Sequence, residues 1–116
     1  MKFIRNTESA PYMGAEFGQD VEPAGKYMLE AWAGARATTP GWEMGEIEFQ
    51  NPLYIEFGGD YRDSTNWKHK LASKYLATGK KLSKKLINSG YDGIITLDKN
   101  GQTSEIVDLS IIHGKP

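Results

Sequence analysis

The stretch Gly90-Tyr91-Asp92-Gly93-Ile94-Ile95-Thr96-Leu97-Asp98-Lys99-Asn100-Gly101-Gln102-Thr103-Ser104-Glu105-Ile106-Val107-Asp108-Leu109 decides the fold. Two runs rich in β-branched residues flank Asn100-Gly101, and Asn-Gly between such runs is a strong hairpin signal. Alternation in the second run places Glu105, Val107 and Leu109 on one face, and Ser104, Ile106 and Asp108 on the other. Glu105 therefore shares its face with two apolar residues. A carboxylate in that position is costly unless it is paired or solvated in a cleft. Two readings stand: a Glu near a strand end that reaches water past its neighbours, or a carboxylate held in a cleft for chemistry.

Upstream of this hairpin two short helices are expected. Ser64-Thr65-Asn66 offers N-caps for a helix to about Ala77, with Trp67, Leu71 and Tyr75 spaced to form an apolar face. Thr78-Gly79 breaks it. A second helix over Lys80 to Asn88 turns Leu82, Leu86 and Ile87 inward and closes at Ser89-Gly90. Further back, Glu46 to Phe57 alternates as a strand does, first through Ile47 and Phe49, then through Leu53, Ile55 and Phe57. Pro52 cannot donate to a ladder and marks an edge, a bulge or a break between two strands. Lys26 to Ala37 carries Tyr27, Met28, Ala31, Trp32 and Ala35 near the helical period. It reads as a helix, or a strand leading into one, ended by Thr39-Pro40-Gly41. Lys2 to Arg5 reads as a first strand and residues 6–25 as mostly loop, with a turn-prone Gly18 to Gly25. The expectation is a single α+β domain over residues 1–116.

The chain has no cysteine, which removes disulfides, thiolate catalysis and thiolate metal sites together. Its two histidines, His69 and His113, are far apart in sequence, so no metal site is expected. The N-terminus lacks the apolar core of a signal peptide, and no stretch approaches the ~20 apolar residues of a membrane span. A cytoplasmic protein without a membrane partner is the expectation. The net charge of −1 conceals an asymmetry: residues 1–63 hold 11 acids and 5 bases, residues 64–116 hold 4 acids and 9 bases. Half of all basic residues lie between Lys68 and Lys85. Such a side can attract a polyanion or an acidic partner, or simply keep the domain soluble. Trp67 and Tyr75 fall on inward helix faces, whereas base stacking needs exposed rings. The lysines therefore read as a solvated face, and nucleic-acid association through Lys68 to Lys85 is the lesser alternative.

Two further positions invite a choice. Arg5 shares a strand face with Phe3; it is either a surface charge or a cation directed at a carboxylate or phosphate. In Gly25-Lys26-Tyr27 the glycine permits close backbone approach and the ring is free to stack on a planar ligand, unless Tyr27 is simply core.

Gly90-Tyr91-Asp92-Gly93-Ile94-Ile95, followed by Ser104-Glu105-Ile106-Val107, resembles the C-terminal pattern of small ADP-ribosyltransferase-like domains carried by phages and other mobile elements. There a helix, a GYDGII/V segment and a hairpin lead to the strand bearing the catalytic Glu. Asn51-Pro52-Leu53 is similar to that family's NPL segment, Ala24-Gly25-Lys26-Tyr27-Met28 to its GxY motif, and Phe3-Ile4-Arg5 to its aromatic-x-Arg. The resemblance implies a compact split antiparallel sheet with two to three helices and a C-terminal β-hairpin. It also implies transfer of ADP-ribose from NAD, as substrate, to a host protein target, with an anti-CRISPR-like counter-defence role as one setting. Glu105 would hydrogen-bond the nicotinamide ribose and stabilise an oxocarbenium-like transition state. Arg5 would hold the NAD ribose or diphosphate. Tyr27, with Gly25 before it, would stack on the nicotinamide, and the Gly18 to Gly25 loop would border the pocket. The chain departs from the pattern at Thr103, where many members carry Gln or Glu, and lacks both a Ser-Thr-Ser segment and the family's histidine. A chain with these departures can keep the fold and act as a non-catalytic inhibitor or binding protein, which is the alternative reading.

Overall fold

The computed structural model describes residues 1–6, 18–31 and 41–111. Trp32, Ala35, Thr39-Pro40 and His113, named above, lie outside the described residues. Six strands and two helices follow in chain order: β1 (Lys2–Asn6), β2 (Lys26–Glu30), β3 (Trp42–Glu46), β4 (Pro52–Glu56), α1 (Trp67–Tyr75), α2 (Gly79–Asn88), β5 (Gly93–Leu97) and β6 (Thr103–Asp108). The class is α+β. The strands form one hydrogen-bonded sheet in the order β3-β1-β2-β6-β5-β4.

This sheet differs from the expected antiparallel arrangement at one edge, where β4 and β5 run parallel. The cause is the connection between them, because both helices intervene, and a helical crossover returns the chain in the same direction. Of the two alternatives for Lys26 to Ala37, the start is strand, Lys26–Glu30, and residues 32–37 lie outside the described residues. β2 pairs with β1 on one side and β6 on the other, and pairing on both edges outweighs a weak helical periodicity. Of the alternation expected across Glu46 to Phe57, only the second part forms a strand, β4; Ile47 and Phe49 lie outside any strand, in the connection that follows β3. Pro52 opens β4, the edge strand, where its missing N–H costs the ladder least.

Caps set the helices. Asn66 is the N-cap of α1, its side chain accepting from the Lys68 N–H, while its Nδ2 donates to the Phe57 and Gly59 carbonyls at 3.3 and 2.9 Å. Gly90 at φ +99° continues the chain past the C-cap of α2. Both helices cover one sheet face: Trp67, Leu71, Leu82 and Leu86 pack on Ile94, Val107 and Leu109. On the opposite face Phe3, Met28, Ile95 and Ile106 form a second cluster, joined by Ile47 and Phe49.

The NPL and GYDG segments hold each other. The Asp92 carboxylate accepts from the backbone N–H of Gln50 at 2.6 Å and of Asn51 at 3.0 Å. Asn51 Nδ2 in turn donates to the Gly90 carbonyl at 2.8 Å. A Cβ on Gly93 would lie 2.3 Å from the Phe49 ring, so only glycine lets that ring seat against β5. These contacts set the parallel register, with Pro52 opposite Gly93. No described helix is long and apolar enough to cross a membrane.

Candidate functional site

Register between strands decides which side chains can meet. Glu105 stands opposite Leu29 on β2, and Leu29 stands opposite Ile4 on β1. Directly paired residues share a face, so Glu105, Leu29 and Ile4 line the helix-covered side together with Tyr27 and Val107. Arg5 lies on the other side. There its Nη1 is 3.7 Å from a Glu43 carboxylate oxygen and its Nε donates to the Tyr27 carbonyl at 3.4 Å. Lys26 on the same side pairs with Glu43 at 2.8 Å. The structure thus brings Tyr27 and Glu105 to one face and leaves Arg5 on the opposite one.

Glu105 is half-buried, and the Tyr61 hydroxyl lies 3.5 Å from each of its carboxylate oxygens. Tyr61 reaches this position from the loop between β4 and α1. Its ring meets Phe57 edge-on at 5.3 Å, and its carbonyl accepts from His69 Nε2 at 2.9 Å; a carbonyl only accepts, so that nitrogen carries the proton. Tyr27 directs its hydroxyl to the Pro23 carbonyl at 2.6 Å and sets its ring 6.3 Å from Trp67. Gly25 serves this arrangement by close packing within the chain. A Cβ there would come within 2.5 Å of Val107 Cγ1 and 2.9 Å of the Asp108 carbonyl oxygen.

Lys68 is the residue that the expectation of a solvated lysine face misplaces. Only 2% exposed, it lies among three rings, its Nζ 4.6 Å from Tyr61, 5.2 Å from Tyr27 and 5.7 Å from Trp67. It pairs with Glu22 at 2.7 Å. The loop carrying Glu22 is tied to the start of α2 through Gly79 N–H to the Glu22 carbonyl and Ala24 N–H to the Gly79 carbonyl. Gly18, at the start of that loop, has no room for a Cβ beside Lys68 Cδ. So the Gly18 to Gly25 segment does border Glu105's surroundings, by supplying a second carboxylate. Tyr61, Trp67, Lys68 and Glu22 were not among the expected site residues. A lysine directly after an inward-facing tryptophan was the one available signal.

Electrostatics follow from this crowding. Burial pushes the Glu105 carboxyl pKa upward; the nearby Lys68 charge opposes the shift and Glu22 adds to it. The Trp67 indole N–H is buried with no hydrogen-bond partner among the described residues. It still lies near enough to Glu105 to favour the carboxylate. Burial, and then the Glu105 charge, hold the Tyr61 phenol protonated well above its ordinary range. The Tyr27 phenol is likewise raised by burial, then by Glu22 and Glu105. The result is two carboxylates and one ammonium among three aromatic rings, with Lys68 Nζ set over the ring faces and the Tyr61 hydroxyl directed at Glu105.

A groove of about 610 Å³ opens beside it, lined by Phe57, Gly59, Thr65, Lys70, Lys99 and Ser104 among others. Ser104 precedes Glu105 in β6, but Glu105 itself is not in its wall. Among the described residues no three His, Asp or Glu side chains converge to hold a metal ion. No protein-family model, curated protein or solved structure matches the chain.

Proposed function

We propose that the chain is an ADP-ribosyltransferase-like protein that transfers ADP-ribose from NAD to a host protein, with Glu105 as the catalytic carboxylate. One observation supports this reading above others: Glu105 is held half-buried on an apolar sheet face, beside aromatic rings and against the cost of its own desolvation. A fold that needed only packing at this position would be served better by an apolar residue. In the reaction the nicotinamide–ribose bond breaks with its electron pair leaving on the nicotinamide, which becomes neutral. Positive charge develops at ribose C1′, where an ionised Glu105 stabilises it. The target's nucleophile then bonds to C1′ and gives up its proton. Lys68 helps keep Glu105 ionised within the buried site. Arg5, on the far side of the sheet, is left out of this role.

A second reading has its own support. Lys68 Nζ takes up the space between Tyr27, Tyr61 and Trp67, so the protein's own cation already covers ring faces that a nicotinamide would use. On this reading the chain keeps the fold and acts as a non-catalytic binder. Titration of NAD into ¹⁵N-labelled protein separates the two. Saturable shifts of the Trp67 indole N–H and of the Gly25 and Glu105 amides, with label from NAD then appearing on lysate protein, uphold the first reading. An unchanged spectrum at millimolar NAD sinks it and leaves the second.

A further inference from the structure

We infer that the outer surface of the α1–α2 layer is a binding face for the phosphate backbone of duplex nucleic acid, contacted without sequence selection. Between Ser64 and Tyr91 the chain has seven lysines and no Asp or Glu. One of these, Lys68, is turned inward; Lys70, Lys74, Lys81, Lys84 and Lys85 are exposed and Lys80 is half-buried. Because α1 and α2 both pack on the same sheet face, their outward sides form a single layer surface. Lys85 Nζ donates to the Tyr75 carbonyl at 2.8 Å, which ties the second helix to the end of the first and fixes the spacing between the two rows of charge.

The composition of this face selects the partner. Protein interfaces favour aromatic residues and Arg at their centres and are depleted in Lys. Here every cation is Lys and no Arg occurs between Ser64 and Pro116. Exposed large apolar residues in the layer, among those described, are Leu76 and Ile87 alone, too few for the apolar centre of a protein contact. Exposed Ser73, Thr78 and Ser89 add hydroxyl donors of the kind that reach phosphate oxygens. Single-stranded partners are held by stacking on exposed rings, whereas Trp67 is fully buried and Tyr75 half-buried. Base-edge reading by Arg, Asn or Gln also has little to work with, since Asn88 is the layer's one exposed residue of these types. What remains is a rigid, cationic, unselective surface that fits a duplex backbone.

Fluorescence anisotropy with a labelled 24-base-pair duplex of random sequence tests this on the intact chain. Binding at about 10⁻⁴ to 10⁻⁶ M near physiological salt is expected, with log K falling against log salt at a slope of about −4 to −5. The triple variant Lys74→Glu, Lys81→Glu, Lys84→Glu should reduce the magnitude of that slope by about 2 to 3. Its thermal melt serves as the folding check, and the wild-type slope stands as evidence independent of the variant. No binding at 50 mM salt overturns the inference, as does a slope near zero. Competition by poly-glutamate equal to that by duplex at matched charge would assign the face to an acidic protein instead. Tighter binding of the single strand than of the duplex would overturn the duplex assignment.

Discussion

Replacing Glu105 with Gln is expected to make the protein more stable at neutral pH. The substitution keeps the side chain's size and its acceptor toward Tyr61, and removes a charge that burial disfavours. What is lost is small. The two Tyr61 contacts, at 3.5 Å, are at the outer limit of a hydrogen bond, and Lys68 retains its 2.7 Å partner Glu22. A single stabilising substitution is commonly worth about 0.5–2 kcal/mol. With unfolding entropy of about 2.1 cal/mol/K per residue, a chain of 116 residues gains about 4 °C in Tm per kcal/mol. The expected rise is therefore about 2–8 °C. It carries a pH signature. Because the folded-state pKa of Glu105 lies above its ordinary 4.5, folding takes up a proton between the two values. The stability Glu105 contributes is full below about pH 4.5 and declines as pH rises through the folded-state pKa. Melting curves of both proteins should thus converge in acid and separate toward neutrality, the variant melting higher. A variant that melts below wild type near pH 7, or a gap that does not change with pH, would refute the reasoning and make Glu105 a structural partner of Lys68.

Lys68→Met should destabilise the fold by about 2–4 kcal/mol in denaturant titration, because it strands Glu22 and Glu105 beside one another while Glu22 keeps some access to water. The same variant should raise the Glu105 pKa further, measured by carboxyl ¹³C shifts; an unchanged pKa would contradict the proximity of the two charges. Asp92→Ala removes the acceptor for two backbone N–H groups that join β4 to β5, with an expected cost of about 1–3 kcal/mol and faster amide exchange at Gln50 and Asn51. Gly25→Ala forces a methyl into Val107 and the Asp108 carbonyl and should cost about 1–3 kcal/mol; a melt equal to wild type would show that β6 yields there.

What could be read from residues alone was local. Alternation around Asn100-Gly101 predicts a hairpin because strand period and turn chemistry act within a few residues, and β5 and β6 form it. Asn66 and Gly90 likewise mark helix ends through short-range capping. The parallel edge was not legible, since it depends on Asp92 and Asn51 meeting across some 40 residues. The side taken by Arg5 was hidden for a related reason. Alternation orders side chains within a strand, but only the register Ile4–Leu29–Glu105 says which faces coincide. Lys68 looked like its exposed neighbours Lys70 and Lys74; what buries it is Glu22, 46 residues away. Glu105 itself was visible as an oddly placed carboxylate, and its aromatic surroundings were not.

The central claim, that Glu105 drives cleavage of the nicotinamide–ribose bond, is tested most directly by the initial rate of nicotinamide release from NAD in the presence of a bacterial lysate. Wild type should release nicotinamide with matching transfer of ADP-ribose to protein, and Glu105→Gln should be slower by about 10²–10³-fold while melting no lower. No release by folded wild type, or equal rates for the two proteins, would contradict the account.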